Sequence, residues 1–267
     1  MTDYWNDMMR CKWSFILSEK TYLILGASSD LGVELIRRLG AECSEGGATF
    51  LAHYHSSATR LKEIPLGKNQ LIPIQADLGD MASVESLIAE VKKHCASPTH
   101  IVHLAAEPFR YMKLKEFDRD SLIRGIDVQV SSFARIMQEF LPIMAKRKQH
   151  DKVVVMLTSY LLHTPPKFVL DYVVAKAALY GLLRSLAADY LGKGVNINAL
   201  SPSMIETKFL QNIDERIVQI TAEKSPENKN ATPNDIVPVI QFLLSDAANY
   251  IHGANLNVTY GGGGNIE

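Results

Sequence analysis

The chain has almost no net charge: 28 Lys and Arg against 29 Asp and Glu leave −1 over 267 residues. It therefore lacks the cationic excess that nucleic-acid binding depends on, and with it most of the attraction to an anionic membrane surface. Cysteine is scarce: Cys11, Cys43 and Cys95 are odd in number, far apart and free of any C-x-x-C pair. Neither a disulfide framework nor a metal site is expected, and three reduced thiols suit a cytoplasmic protein. The longest aliphatic run, Val153 to Leu157, is far shorter than the ~20 residues that span a bilayer. The apolar stretch Trp13 to Leu17 follows acids and lacks a small-residue cleavage site, which argues against a signal peptide. It reads as part of an N-terminal extension, residues 1–20, packed by Trp5, Trp13 and Phe15. No repeat, low-complexity tract or Gly/Ser-rich linker divides residues 21–267, which are expected to form one domain ending in a glycine tail at 261–264. With 47% hydrophobic and 21% charged residues, the chain can bury a substantial core.

Short β-branched or apolar runs alternate with longer helical periodicities. Seven strands are expected, at Tyr22 to Leu25, Thr49 to Ala52, Leu71 to Gln75, Ile101 to Leu104, Val153 to Thr158, Val195 to Leu200 and Leu256 to Thr259. Helices are expected at Leu31 to Leu39, Ser57 to Ile64, Met81 to His94, Ser121 to Lys146, Tyr172 to Leu191 and Pro233 to Leu244. This rhythm predicts an α/β fold, a doubly wound, Rossmann-type parallel sheet of about seven strands with helices on both faces.

Two constellations carry chemistry. The first strand runs into Gly26-Ala-Ser28-Ser29-Asp30-Leu31-Gly32 and then a helix. Gly26 permits a tight turn and Gly32 close helix-to-strand packing, while the helix N-terminus can hold a pyrophosphate. Asp30 either stands near that phosphate or caps the helix by accepting from the N–H of Gly32 or Val33. Second, Tyr172-Val-Val-Ala-Lys176 sets a phenol and an ammonium one helical turn apart. Tyr111 and Lys115 share that spacing, but only Tyr172 has a serine, Ser159, thirteen residues earlier at a strand's carboxyl end. In open α/β sheets that is the end where ligands bind.

Together these residues resemble the short-chain dehydrogenase/reductase family over roughly residues 20 to 260, in particular its 3-oxoacyl-carrier-protein reductases. Asp77-Leu78 is similar to the family's adenine contact and His103-Leu-Ala105-Ala106 to its Asn-Asn-Ala-Gly segment. Pro202-Ser-Met-Ile205-Glu-Thr207 resembles its nicotinamide loop. The resemblance implies an oxidoreductase that transfers a hydride between NADP(H) and a carbonyl or hydroxyl of a small-molecule or acyl substrate. Tyr172 would exchange the proton, Ser159 would bind the same oxygen, and Lys176 would lower the phenol's pKa and bind ribose hydroxyls. Gln129 stands where the family has a catalytic asparagine. Asp30 replaces a glycine, and Ser203 another.

No acid ends the second strand. His53, His55 and Ser56 follow instead, with Arg60 close behind, a set of donors that favours NADP over NAD. Substrate contacts are expected from Glu107, Phe109, Arg110, His163 and the segment from Met204 to Thr221, with Arg110 and His163 suiting an anionic or polar group and the segment after Thr207 a lid. Phe133, Phe140, Leu179 and Leu183 are read as apolar positions beyond the core-facing stripe, available for a homodimer or homotetramer. The alternative from another class is a cofactor-binding sensor or scaffold without turnover; a third is an epimerase or dehydratase.

Overall fold

The computed structural model describes residues 20–43, 47–108 and 110–261. The extension before Lys20, Phe109 and the glycines after Gly261 lie outside the described residues.

All seven expected strands form, and every pairing is parallel. They are β1 (Lys20–Leu25), β2 (Ala48–Tyr54), β3 (Gln70–Gln75), β4 (His100–His103), β5 (Asp151–Met156), β6 (Val195–Pro202) and β7 (Asn255–Val258). The order is β3-β2-β1-β4-β5-β6-β7. Parallel strands need crossovers that cover both faces, which is why the central strands are apolar on both sides: Leu23, Ile24, Ile101, Val102, Val153 and Val154 are all essentially inaccessible. The strand order reverses between β1 and β4, so a crevice opens beyond their carboxyl ends.

The helices are α1 (Asp30–Glu42), α2 (Thr59–Lys62), α3 (Met81–His94), α4 (Arg119–Ile126), α5 (Ser132–Arg147), α6 (Leu170–Asp189), α7 (Glu215–Glu223) and α8 (Pro233–Leu244). α3, α5 and α6 cover one face, α1 and α8 the other. Two helical expectations need correction, and one helix was not expected. The stretch from 121 to 146 is two helices joined through a π-helical turn, Asp127–Ser131. The segment from 57 to 64 makes only the single turn α2. The segment after Thr207 forms α7, whose residues are all at least partly exposed and therefore give no core-facing run to read.

Phe133, Phe140, Leu179 and Leu183 are fully buried, against the expectation that they face a partner subunit. Covering a parallel sheet takes a wide apolar stripe rather than a narrow seam, and these four belong to it. Ile123 and Val174, 37% and 42% exposed, are the large apolar side chains that α4 and α6 leave open.

Candidate active site

β1 ends at Leu25 and the chain reverses at Gly26, whose φ of +82° favours glycine; a Cβ there would meet the Ala105 backbone nitrogen at 2.9 Å. Gly32 lets α1 rest on the turn, since its Cβ would lie 2.5 Å from the Ala27 carbonyl oxygen. Ser29, not Asp30, caps α1: its hydroxyl accepts from the Gly32 N–H at 3.1 Å. Asp30 instead accepts from the Lys208 N–H and pairs with Arg60, both at 2.7 Å. Occupying the first helical turn itself, its short side chain turns outward to these two partners. The N–H groups of Asp30 and Leu31, at the first positions of the helix, have no partner among the described residues and stay available to an anion.

His53 is buried rather than exposed at the strand end. Its Nδ1 accepts from the Gly26 N–H at 3.0 Å and its Nε2 donates to the Ala76 carbonyl at 3.1 Å, so the imidazole fastens the glycine turn to β2 and the end of β3. Burial lowers its pKa to about 4, which keeps it neutral.

A cavity of about 420 Å³ lies beyond the sheet's carboxyl edge. Ser28, Ser29, Asp30 and Leu31 line one end, Ala106, Ser159, Tyr172 and Lys176 the middle, and Pro202, Ile205 and Thr207 a side wall. Sequence-distant candidates thus converge on one space. Gly26, Gly32 and Ala105 shape the turn without lining it. His55 and Ser56 are exposed beyond β2 and do not reach the cavity, and Leu78 is buried in the core. Asp77 is held by Arg124, at 2.7 and 3.0 Å, and by the Gly79 N–H, which keep its carboxyl below the usual range.

Thr158 caps the turn that follows β5 and hydrogen-bonds the Tyr172 phenol. The sequence reading assigned it no role. Burial pushes Tyr172 up to about 12, outweighing the downward pull of Thr158. Lys176 is 2% exposed, donates to the Met156 carbonyl at 2.8 Å, and is pulled down to about 7 by desolvation. Its Nζ lies 5.9 Å from the Tyr172 ring centre. Phenol and amine are therefore adjacent, each pushed by burial toward its neutral form.

Gln129 sits in the π-helical turn at 2% exposure, donating to the Gly125 carbonyl at 3.3 Å. Its Oε1 is buried without a partner among the described residues. It lines a separate polar cavity of about 190 Å³ that touches Tyr172 from the other side. Beneath it His103 stacks on Phe133 and donates from Nε2 to the Gln129 carbonyl at 2.9 Å. Arg110 and His163 do not line the main cavity; Arg110 faces Asp171, 3.5 Å away. Glu107 is turned to Arg124 at 3.0 Å. Burial raises the Cys95 thiol, which removes the thiolate that reactivity would need.

Residues 37–262 match the family model described as Enoyl-(Acyl carrier protein) reductase. Oxidoreductase UcpA of Salmonella typhimurium is 29% identical over 260 residues, covering 92% of this chain and 95% of that protein. Galactitol 2-dehydrogenase (L-tagatose-forming) of Cereibacter sphaeroides is 27% identical over 240 residues, with 89% and 92% covered. A solved short chain dehydrogenase/reductase family protein superposes with a TM-score of 0.75 at 26% identity, over 90% of this chain and 95% of that one. The chain belongs to the short-chain dehydrogenase/reductase family of oxidoreductases.

Proposed function

We propose that this protein interconverts a carbonyl and a hydroxyl group on a small molecule with a nicotinamide dinucleotide as redox partner, preferring NADP(H) to NAD(H). The observation that carries the reading is the convergence of Ser159, Tyr172 and Lys176 with the free N–H groups of α1 in one cavity. The residues fit a dinucleotide. Two glycines hold a turn that a Cβ would block, and Asp30 and Leu31 offer a diphosphate N–H groups that are unpartnered among the described residues. When bound, the cofactor supplies the two-electron exchange with the substrate carbon and a positive ring in its oxidised form.

The protein's own residues handle the oxygen and its proton. Ser159 donates to the substrate oxygen and fixes its position opposite Tyr172. The phenol is the proton donor in reduction and, as phenolate, the acceptor in oxidation. At about 12 it is a weak base near neutrality, so positive charge must be brought near it. A protonated Lys176, one turn away, is this chain's contribution. The NADP preference rests on the lack of an acid at the end of β2 and on Arg60, a cation lining the cavity just beyond that strand. Cysteines odd in number and widely spaced, as suits reduced thiols, support placing the enzyme in the cytoplasm; separately, no described helix is long and apolar enough to cross a membrane.

The test is Tyr172→Phe. It should bind NADPH as tightly as the wild type while kcat falls by about 10²-fold or more, the scale of a lost general acid. A variant that keeps wild-type turnover removes Tyr172 from the chemistry.

A further inference from the structure

We propose that the substrate is an uncharged, apolar ketone or its alcohol rather than a polyol or an anionic compound; the inference rests on the carbonyl-hydroxyl reading above. The half of the cavity away from the glycine turn is built from a third hydrophobic cluster, separate from the two that cover the sheet. Val169 and Ile213 are buried at its centre, and Tyr160, Phe209 and Leu210 pack around them beside Tyr172. The Tyr160 and Phe209 rings stand 6.4 and 6.3 Å from the Tyr172 ring, inclined to it by 80° and 49°. The reactive phenol thus has two aromatic rings beside it.

Two of the charged side chains lining the cavity, Asp30 and Arg60, pair with each other at the glycine-turn end, and Lys176 sits beneath Tyr172; Lys208, next to Phe209 in the chain, is held to Asp30 through its backbone N–H. Arg110, the cation expected to meet a polar substrate, faces Asp171 outside this cavity. A polyol would lose hydration along its whole length, with Ser159, Tyr172 and Tyr160 among the few hydroxyls able to replace it beside the cage. An apolar body would lose little and would gain contact with Phe209, Leu210 and Ile213. The cage draws Phe209, Leu210 and Ile213 from the segment that leads from β6 to α7.

The experiment uses full-length Tyr172→Phe protein, in which turnover is slowed about a hundredfold or more, titrated by calorimetry with 2-tetralone and with dihydroxyacetone, with and without NADP. The expected result is 2-tetralone binding with a negative heat-capacity change and no measurable heat from dihydroxyacetone. Phe209→Ala and Leu210→Ala, both at partly exposed positions, should each weaken 2-tetralone about tenfold. A turnover comparison on wild type, with NADPH saturating, should favour 2-tetralone over dihydroxyacetone at least a hundredfold in kcat/KM. Equal or tighter binding of dihydroxyacetone, or 2-tetralone binding untouched by both variants, overturns the inference. If instead NADP does not bind while 2-tetralone does, the oxidoreductase reading fails and the apolar site stands.

Discussion

Three histidines, His53, His100 and His103, are almost wholly inaccessible, at 2%, 7% and 1% exposure. Each uses Nε2 to donate to a backbone carbonyl, those of Ala76, Leu244 and Gln129. Burial lowers them to about 4, 3 and 3, from an ordinary 6.5. Between about pH 6.5 and pH 4 the unfolded chain therefore takes up protons that the native protein refuses, so stability falls as pH falls. From pH 7 to pH 5 each imidazole accounts for about 2 kcal/mol of that loss. Asp151 acts in the opposite sense. Desolvation raises it to about 6, so protonation favours its native form by about 1 kcal/mol over the same interval. The net loss of about 4–5 kcal/mol is a large part of the roughly 5–15 kcal/mol that stabilises an ordinary domain. Urea unfolding at pH 7, 6 and 5 should show the midpoint falling steeply. His100→Gln, which keeps a donor toward Leu244 but cannot ionise, should lose about two-fifths of the slope. A midpoint that does not move between pH 7 and pH 5 would refute the reasoning.

Other substitutions probe single contacts. Gly32→Ala drives a methyl into the backbone of Ala27; overpacking of this kind costs about 1–3 kcal/mol and should lower Tm by several degrees while weakening NADPH binding. Arg147→Ala strips a nearly inaccessible Asp151 of its ion pair and the Ser97 carbonyl of its donor, an expected loss of about 3–5 kcal/mol by chemical denaturation at pH 7. Asp30→Asn removes a carboxylate from the first turn of α1 and frees Arg60, so NADPH should bind several-fold tighter in a fluorescence titration; weaker binding would mean that Asp30 serves the cofactor rather than opposes it.

The sheet was readable because each strand is a short apolar run between turn residues, and a parallel sheet buried on both faces leaves little else those runs could be. The glycine turn was readable for a local reason: two glycines separated by six positions, following a strand and opening a helix. The pairing of Tyr172 with Lys176 was likewise local, and Ser159 followed from its place at a strand end. What sequence missed depends on neighbours distant along the chain. His53 looked like a strand-end donor until β3 and the glycine turn closed around it. Asp30 looked like a cap because capping is local, whereas its partners Arg60 and Lys208 are 30 and 178 residues away. Phe133, Phe140, Leu179 and Leu183 were misplaced because periodicity gives a helix's apolar arc but not how much of it the sheet covers. The aromatic cage left no periodic trace, since its members come from the two connections that follow β5 and β6 and from one helix face.

The central claim is that the turn at Gly26 to Gly32 and the cavity beside it hold a nicotinamide dinucleotide. Titration of the purified protein with NADPH and separately with NADH, followed by nicotinamide fluorescence, tests it without any substrate. The account predicts saturable binding in the micromolar range, tighter for NADPH, and weakened by Gly32→Ala. Absence of binding by both nucleotides would contradict it.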